Sequence, residues 1–151
     1  VETINVGAGP QQLAFDNGDI YISRTFYDEN WDTFHGATKI ESEIITINNY
    51  GAGTACGGSI LNYNNQVYRS FEGGIAPIGP DLNLDLENKI GSYDQEQVYH
   101  VEEINGNIWF AITNYSDLNE VRVINSNGDE IAVYQVGKNP GDFAIWNQNN
   151  N

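Results

Sequence analysis

The chain has 151 residues, 40% of them hydrophobic and 12% aromatic, enough to build one ordinary core and too many for a disordered tail. Six basic against 21 acidic side chains leave a net charge of −15, which repels phosphate backbones and anionic lipid surfaces and excludes nucleic acid as a partner. No apolar run approaches the roughly 18 to 20 residues of a membrane-crossing helix, and the first residues do not read as a charged-then-apolar signal, so a soluble protein with no membrane span is expected.

In chain order, Val1 to Val6 reads as a strand, and its abrupt start without methionine leads us to expect processing or truncation at this end. Leu13 to Ser23 (LAFDNGDIYIS) is an apolar run, a polar turn at Asn17-Gly18 and an aliphatic-aromatic pair, which is the signature of a hairpin. Arg24 to Lys39 (RTFYDENWDTFHGATK) reads as a polar-aromatic loop inserted between strands, and Ile44, Ile45 and Ile47 as the strand that follows. Cys56, the single cysteine, has no internal partner and sits among glycines as a small buried residue. Ile60 to Ser70 (ILNYNNQVYRS) repeats the hairpin around Asn64-Asn65, and Leu82, Leu84 and Leu86 alternate with Asp81, Asn83, Asp85 and Glu87 as a strand with one apolar face. Val101 to Ala111 (VEEINGNIWFA) is the hairpin a third time, around Asn105-Gly106. Val121, Val123, Ile131 and Val133 then alternate about the turn Asn125 to Asp129. With Gly18, Asn65, Gly106 and Gln148 as equivalent positions, the spacings are 47, 41 and 42, the mark of a repeat architecture.

The expected fold is therefore all-β, a single repeat domain over 1–151 with three repeats of about four antiparallel strands, at 7–53, 54–94 and 95–136. An outer-type strand at 1–6 and an inner-type stub at 137–151 flank them, each without the rest of its sheet. No segment carries a convincing helical period. Trp109 takes the place of Tyr21 and Tyr68 and is expected buried at the end of an inner strand.

INVGAGPQQLAF (Ile4 to Phe15) and YQVGKNPGDFAI (Tyr134 to Ile145) are near doubles. Together with YIS at Tyr21 to Ser23 and WFAITN at Trp109 to Asn114, they resemble the YVTN-type β-propeller repeats found in many secreted and cell-surface proteins. The resemblance covers the whole chain, strongly at its ends and weakly over 24–58. It implies propeller blades, an extracellular or cell-surface location and a binding or scaffold role, with lyases in a related branch. Fold alone does not choose among these. Physically, Gly7 and Gly137 would turn the backbone, with positive φ, where one blade crosses to the next, and Pro10 and Pro140 would stiffen the crossing.

Three candidate sites emerge. Tyr27, Asp28, Asn30, Trp31, Asp32 and His35 combine flat rings with carboxylate and amide groups, the chemistry of a sugar site. Their structural alternative is a loop packed by its own aromatics, and a metal set of His35, Asp28 and Asp32 is a weaker reading. The run Asp81, Asn83, Asp85, Glu87 looks like a calcium loop but lacks the loop glycine, and same-face strand positions lie too far apart to share one ion. It reads as a solvated face, and calcium at other turns such as Asp16-Asn17-Gly18-Asp19 is left unplaced. Catalytic motifs are absent: no Gly-x-Ser-x-Gly, His-Glu-x-x-His, paired cysteines or phosphate-cradling glycine loop. A lyase of the propeller kind would want a histidine and a glutamate facing the channel, for which His100 with Glu102 or Glu103 is the local candidate, Glu102 sharing its face.

The leading expectation is a non-enzymatic, exported binding or structural component that needs no cofactor. Three blades cannot close a ring of the usual four to eight. The ends at Val1, Ile4 and Val6 and at Phe143, Ile145 and Trp146 are therefore expected to pair with another copy or with the remainder of a larger propeller, giving a ring or a filament. The alternative is a closed three-fold glycan-binding lectin, a β-trefoil or β-prism. A propeller lyase ranks third.

Overall fold

The computed structural model describes residues 3–53 and 58–146, and Val1 and Cys56 lie outside them. The described chain is all-β, without helix, and forms eleven strands in three antiparallel sheets. Sheet 1 holds β1 (Pro10–Asp16), β2 (Asp19–Tyr27), β3 (Thr33–Glu41) and β4 (Ile44–Ala52). Sheet 2 holds β5 (Ile60–Tyr63), β6 (Gln66–Phe71) and β7 (Gly74–Pro77). Sheet 3 holds β8 (Val98–Ile104), β9 (Asn107–Ile112), β10 (Asn119–Ile124) and β11 (Glu130–Val136). Each sheet is a simple meander in chain order.

The three leading hairpins form as the sequence indicates, and their turns say why. Asn17-Gly18, Asn64-Asn65 and Asn105-Gly106 all have positive φ at both central positions. That is the two-residue turn whose twist matches paired strands, and asparagine and glycine tolerate it best.

Apolar side chains place the sheets in a stack. One cluster joins Ala14, Tyr21 and Ala37 of sheet 1 to Ile60 and Val67 of sheet 2, with Ile78 and Leu82. A second joins Leu61, Tyr63, Tyr68 and Ile75 of sheet 2 to Val98, Val101, Ile108, Phe110 and Ile124 of sheet 3. Sheet 2 is thus covered on both faces, while sheets 1 and 3 each keep one face with no sheet against it.

Several expectations need correction. Sheet 2 has three strands, not four. Leu82 adopts φ 61° and is fully buried, and the segment meets the sheet through isolated bridges, Ile78↔Leu84 and Ile75↔Ile90, with no continuous ladder, so the leucine alternation marks a looped lid, not a strand. Residues 24–39 are no loop insertion: β2 runs on to Tyr27 and β3 starts at Thr33, leaving a tight turn between them. Gly7 has φ +85° as expected, but Gly137 does not lie in the left-handed region and a Cβ there would meet nothing within 4 Å. The two near doubles instead share a left-handed residue just before the proline, Gly9 at φ +66° and Asn139 at φ +51°.

Ile4 and Val6 lie in an extended stretch outside the ladders, as do Phe143, Ile145 and Trp146. The leading stretch lies over sheet 1's uncovered face: Thr38 Oγ1 donates to the Val6 carbonyl at 2.7 Å and Thr25 N–H to the Gly9 carbonyl at 2.8 Å.

Candidate groove and side-chain cluster on the first strands

The first strand of each sheet is an edge strand, with N–H groups on its free side that need partners. Gln12 and Ser59 supply two of them, to Ile60 and Val101, while on the paired side serines of the second strand take N–H groups near the start of the hairpin. Gln12 N–H donates to Ser23 Oγ, and Ser59 N–H to Ser70 Oγ, each across an offset of 11 residues. Ser23 Oγ donates onward to the Gly58 carbonyl, Ile60 N–H to Gln12 Oε1 at 3.2 Å, and Val101 N–H to Ser59 Oγ at 2.9 Å. These bonds tie β1 to the start of β5, and the residue before β5 to β8, drawing the first strands together although they belong to different sheets.

The same offset counted back from Ala111, which holds in the third hairpin the place of Ser23 and Ser70, falls on His100, which is Ala111's cross-strand partner. Gln12, Ser59 and His100 are therefore equivalent positions, and Gln12 Nε2 lies 3.2 Å from His100 Nδ1. Around them opens a groove of about 650 Å³ lined by β1, β5 and β8, with Leu13, Phe15, Asn62, Glu102 and Glu103 on its walls.

His100 and Glu102 share a face of β8, as alternation implies, and His100 Nε2 stands 3.6 Å from Glu102 Oε2. That separation is beyond a hydrogen bond, and both atoms are buried without a hydrogen-bond partner. Asp142, on the segment after β11, brings a carboxylate to the same place: one ligand atom from each of the three residues lies within 4.8 Å of the others. Phe143 holds that segment against the sheet, its ring centroid 5.6 Å from His100 and 5.9 Å from Trp109. Glu103 lies on the opposite side of the strand's alternation and does not join the group.

The sugar-site set is not brought together as one surface. Tyr27 and Trp31 form an exposed, tilted pair 6.1 Å apart at the hairpin tip, with Trp31 80% exposed and at φ 65°. Asp28 serves its own turn, its Oδ1 accepting from Asn30 N–H and Asp32 N–H at 2.9 Å each. His35 is 1% exposed, its ring 5.9 Å from Phe71, and is turned into the protein. In the run from Asp81, Asp85 accepts from Asn88 Nδ2 at 2.7 Å, a local bond of the loop, and Asn83 Oδ1 accepts from Asn48 Nδ2 at 3.2 Å, a tie to β4 of sheet 1.

Trp109 is placed differently from the expectation. It lies on β9, the second strand, and is only half-buried. Its equivalents Tyr21 and Tyr68 are buried against the next sheet in the stack. Trp109 points the same way from the last sheet, where it meets Tyr134, stacked at 5.8 Å, and Phe143. Asp142 went unnoticed in the sequence. Its only signal was its place inside the terminal near double, one residue before Phe143.

Comparison of the chain with protein-family models, with curated proteins and with solved structures found no match.

Proposed function

We propose that the chain is a non-enzymatic, extracellular or cell-surface module built of propeller-like blades, acting as a binding or structural component and completed by further blades. Those blades come from another copy or from the rest of a larger propeller. The observation that carries this reading is the stepwise packing of Tyr21, Tyr68 and Trp109. The first two each close the gap to a following sheet, and the third points at a place where no sheet follows. Sheet 1 offers the complementary face: the ladder register puts Leu13 and Ile47 in one row and Phe15 and Ile45 in the next, and these four are between 40% and 64% exposed. A face of this kind marks an interaction surface. Contact of sheet 1 in one copy with sheet 3 in another is heterologous, giving a two-chain ring if the rotation closes and a filament if it does not.

Analytical ultracentrifugation tests it. The wild-type chain is expected to associate as its concentration rises, and Phe15→Glu combined with Ile47→Glu to leave a folded monomer. A wild-type chain that stays monomeric at high concentration overturns the reading.

The exposed Tyr27 and Trp31 pair favours a second reading, a glycan-binding module gripping a sugar ring at that hairpin tip. Glycan binding by a monomer, lost in Trp31→Ala, would put it first. The lyase reading rests on His100 and Glu102, and unchanged elimination activity in His100→Ala would remove it.

A further inference from the structure

We propose that His100, Glu102 and Asp142 form a binding site for one divalent transition-metal cation of the zinc class, and that the bound cation clasps the segment carrying Asp142 and Phe143 onto β8. Three observations support it. His100 is 6% exposed, yet its Nε2 has no hydrogen-bond partner and is aimed at Glu102 Oε2, itself buried and without one. The 3.6 Å between the two atoms is too long for a hydrogen bond, but close to the roughly 3.3 Å that separates ligand atoms around a tetrahedral zinc with bonds of about 2.0 to 2.1 Å. Asp142 adds a third ligand from a different segment within 4.8 Å, leaving the fourth position to water. Among the described residues the ion pairs of lysine and arginine involve neither Glu102 nor Asp142.

The donor set selects the metal. An imidazole with two carboxylates suits zinc, whereas calcium takes six to eight oxygen ligands and gains little from a ring nitrogen. A plain ion pair between a protonated His100 and Glu102 is the competing account. It requires neither Asp142 nor any metal.

Gln12 tunes the site from behind the ring. Its Oε1 accepts from Ile60 N–H, which turns its amide nitrogen toward His100 Nδ1. Coordination through Nε2 requires the ring proton on Nδ1, donated to an acceptor. The Gln12 amide must therefore turn over as the metal enters, giving up the bond to Ile60 and weakening binding by a factor on the order of ten. A carboxylate at this position would accept from both Ile60 N–H and Nδ1–H and remove that conflict.

The test is calorimetric titration of the full chain with zinc sulfate in a Cys56→Ser background, so that the thiol contributes nothing. One zinc per chain is expected, with Asp142→Asn and Glu102→Gln each weakening binding at least about tenfold and Gln12→Glu tightening it about tenfold. Asp142 is exposed and Glu102 half-exposed, so these variants are expected to keep the fold, which circular dichroism checks. Cobalt(II) reads the same site through its d–d absorption, expected to be lost in Asp142→Asn. Absence of saturable zinc binding, binding of several ions indifferent to these substitutions, or calcium competing on equal terms overturns the proposal.

Discussion

Arg69→Leu is expected to destabilise the fold by about 3 kcal/mol or more. Arg69 is fully buried and has no carboxylate partner. Its guanidinium donates instead to backbone carbonyls: Nε to Gly36 at 3.0 Å, Nη2 to Arg24 at 2.8 Å and Nη1 to Ser70. Gly36 and Arg24 belong to sheet 1 and Arg69 to sheet 2, so one side chain bridges the two layers, with Tyr50 beneath it at 5.6 Å. Burial lowers its pKa to about 10, which still leaves it charged at neutral pH. Leucine would fill part of the volume and leave those carbonyls facing an apolar wall, each costing about 1 to 3 kcal/mol. Urea unfolding reads the effect. Arg122→Leu is the control, because its pairs with Glu120 and Glu130 are partly exposed and such pairs contribute about 1 kcal/mol or less. Equal losses in the two variants would refute this role for Arg69.

The second large effect is expected at Gly73→Ala. Gly73 has φ +74°, and a Cβ there would stand 1.7 Å from the Tyr93 carbonyl oxygen and 2.7 Å from its carbon. The left-handed conformation alone costs an alanine about 1 kcal/mol, and a clash with backbone cannot be relieved by changing a rotamer. Tyr93 would have to move, breaking its N–H bond to the Gly73 carbonyl at 2.8 Å and its edge contact with Phe110 at 5.0 Å in the core between sheets 2 and 3. A loss of more than about 3 kcal/mol, or failure to fold, is expected. Gly137→Ala, in open space, is expected to stay within about 0.5 kcal/mol. Thermal unfolding of the pair would contradict the assignment if the two behaved alike.

Much of the layout was legible because local chemistry enforced it. The Asn-Gly and Asn-Asn turns have few alternatives, and they set three hairpins. The serine shared by YIS and YRS could also have been read as a function. At Ser23 and Ser70 it takes an N–H from the edge strand 11 residues earlier, and following that rule to Ala111 leads directly to His100. What stayed hidden depends on long-range partners. The alternation of Leu82, Leu84 and Leu86 looks like a strand whether it joins a ladder or folds over one. Arg69 looks like any surface arginine until the carbonyls of another sheet surround it. Likewise, Asp142 means nothing beside His100 until Phe143 has packed the chain end across β8. At Asp28 the composition suits a ligand, and the turn itself also uses the carboxylate, a local bond that residue type alone does not reveal.

The placement of Arg24 within sheet 1, and of Arg69 between sheets 1 and 2, has a consequence for the molecule's charge. Both are buried and bonded to carbonyl or amide oxygens, Arg24 to Asn48 and Asn49 and Arg69 to the carbonyls above. They therefore neutralise none of the acidic side chains among the described residues by direct pairing. Among the described residues the ion pairs of lysine and arginine draw on Lys39 and Arg122, so the surface is a nearly uncompensated field of like charge. Dissolved ions shorten the reach of that field to about 10 Å at 0.1 M and leave the interior guanidinium contacts untouched. Raising sodium chloride from about 20 mM to about 200 mM should therefore raise the melting temperature, the reverse of what surface ion pairs would give. This is a molecule whose cohesion grows with the ionic strength of its surroundings.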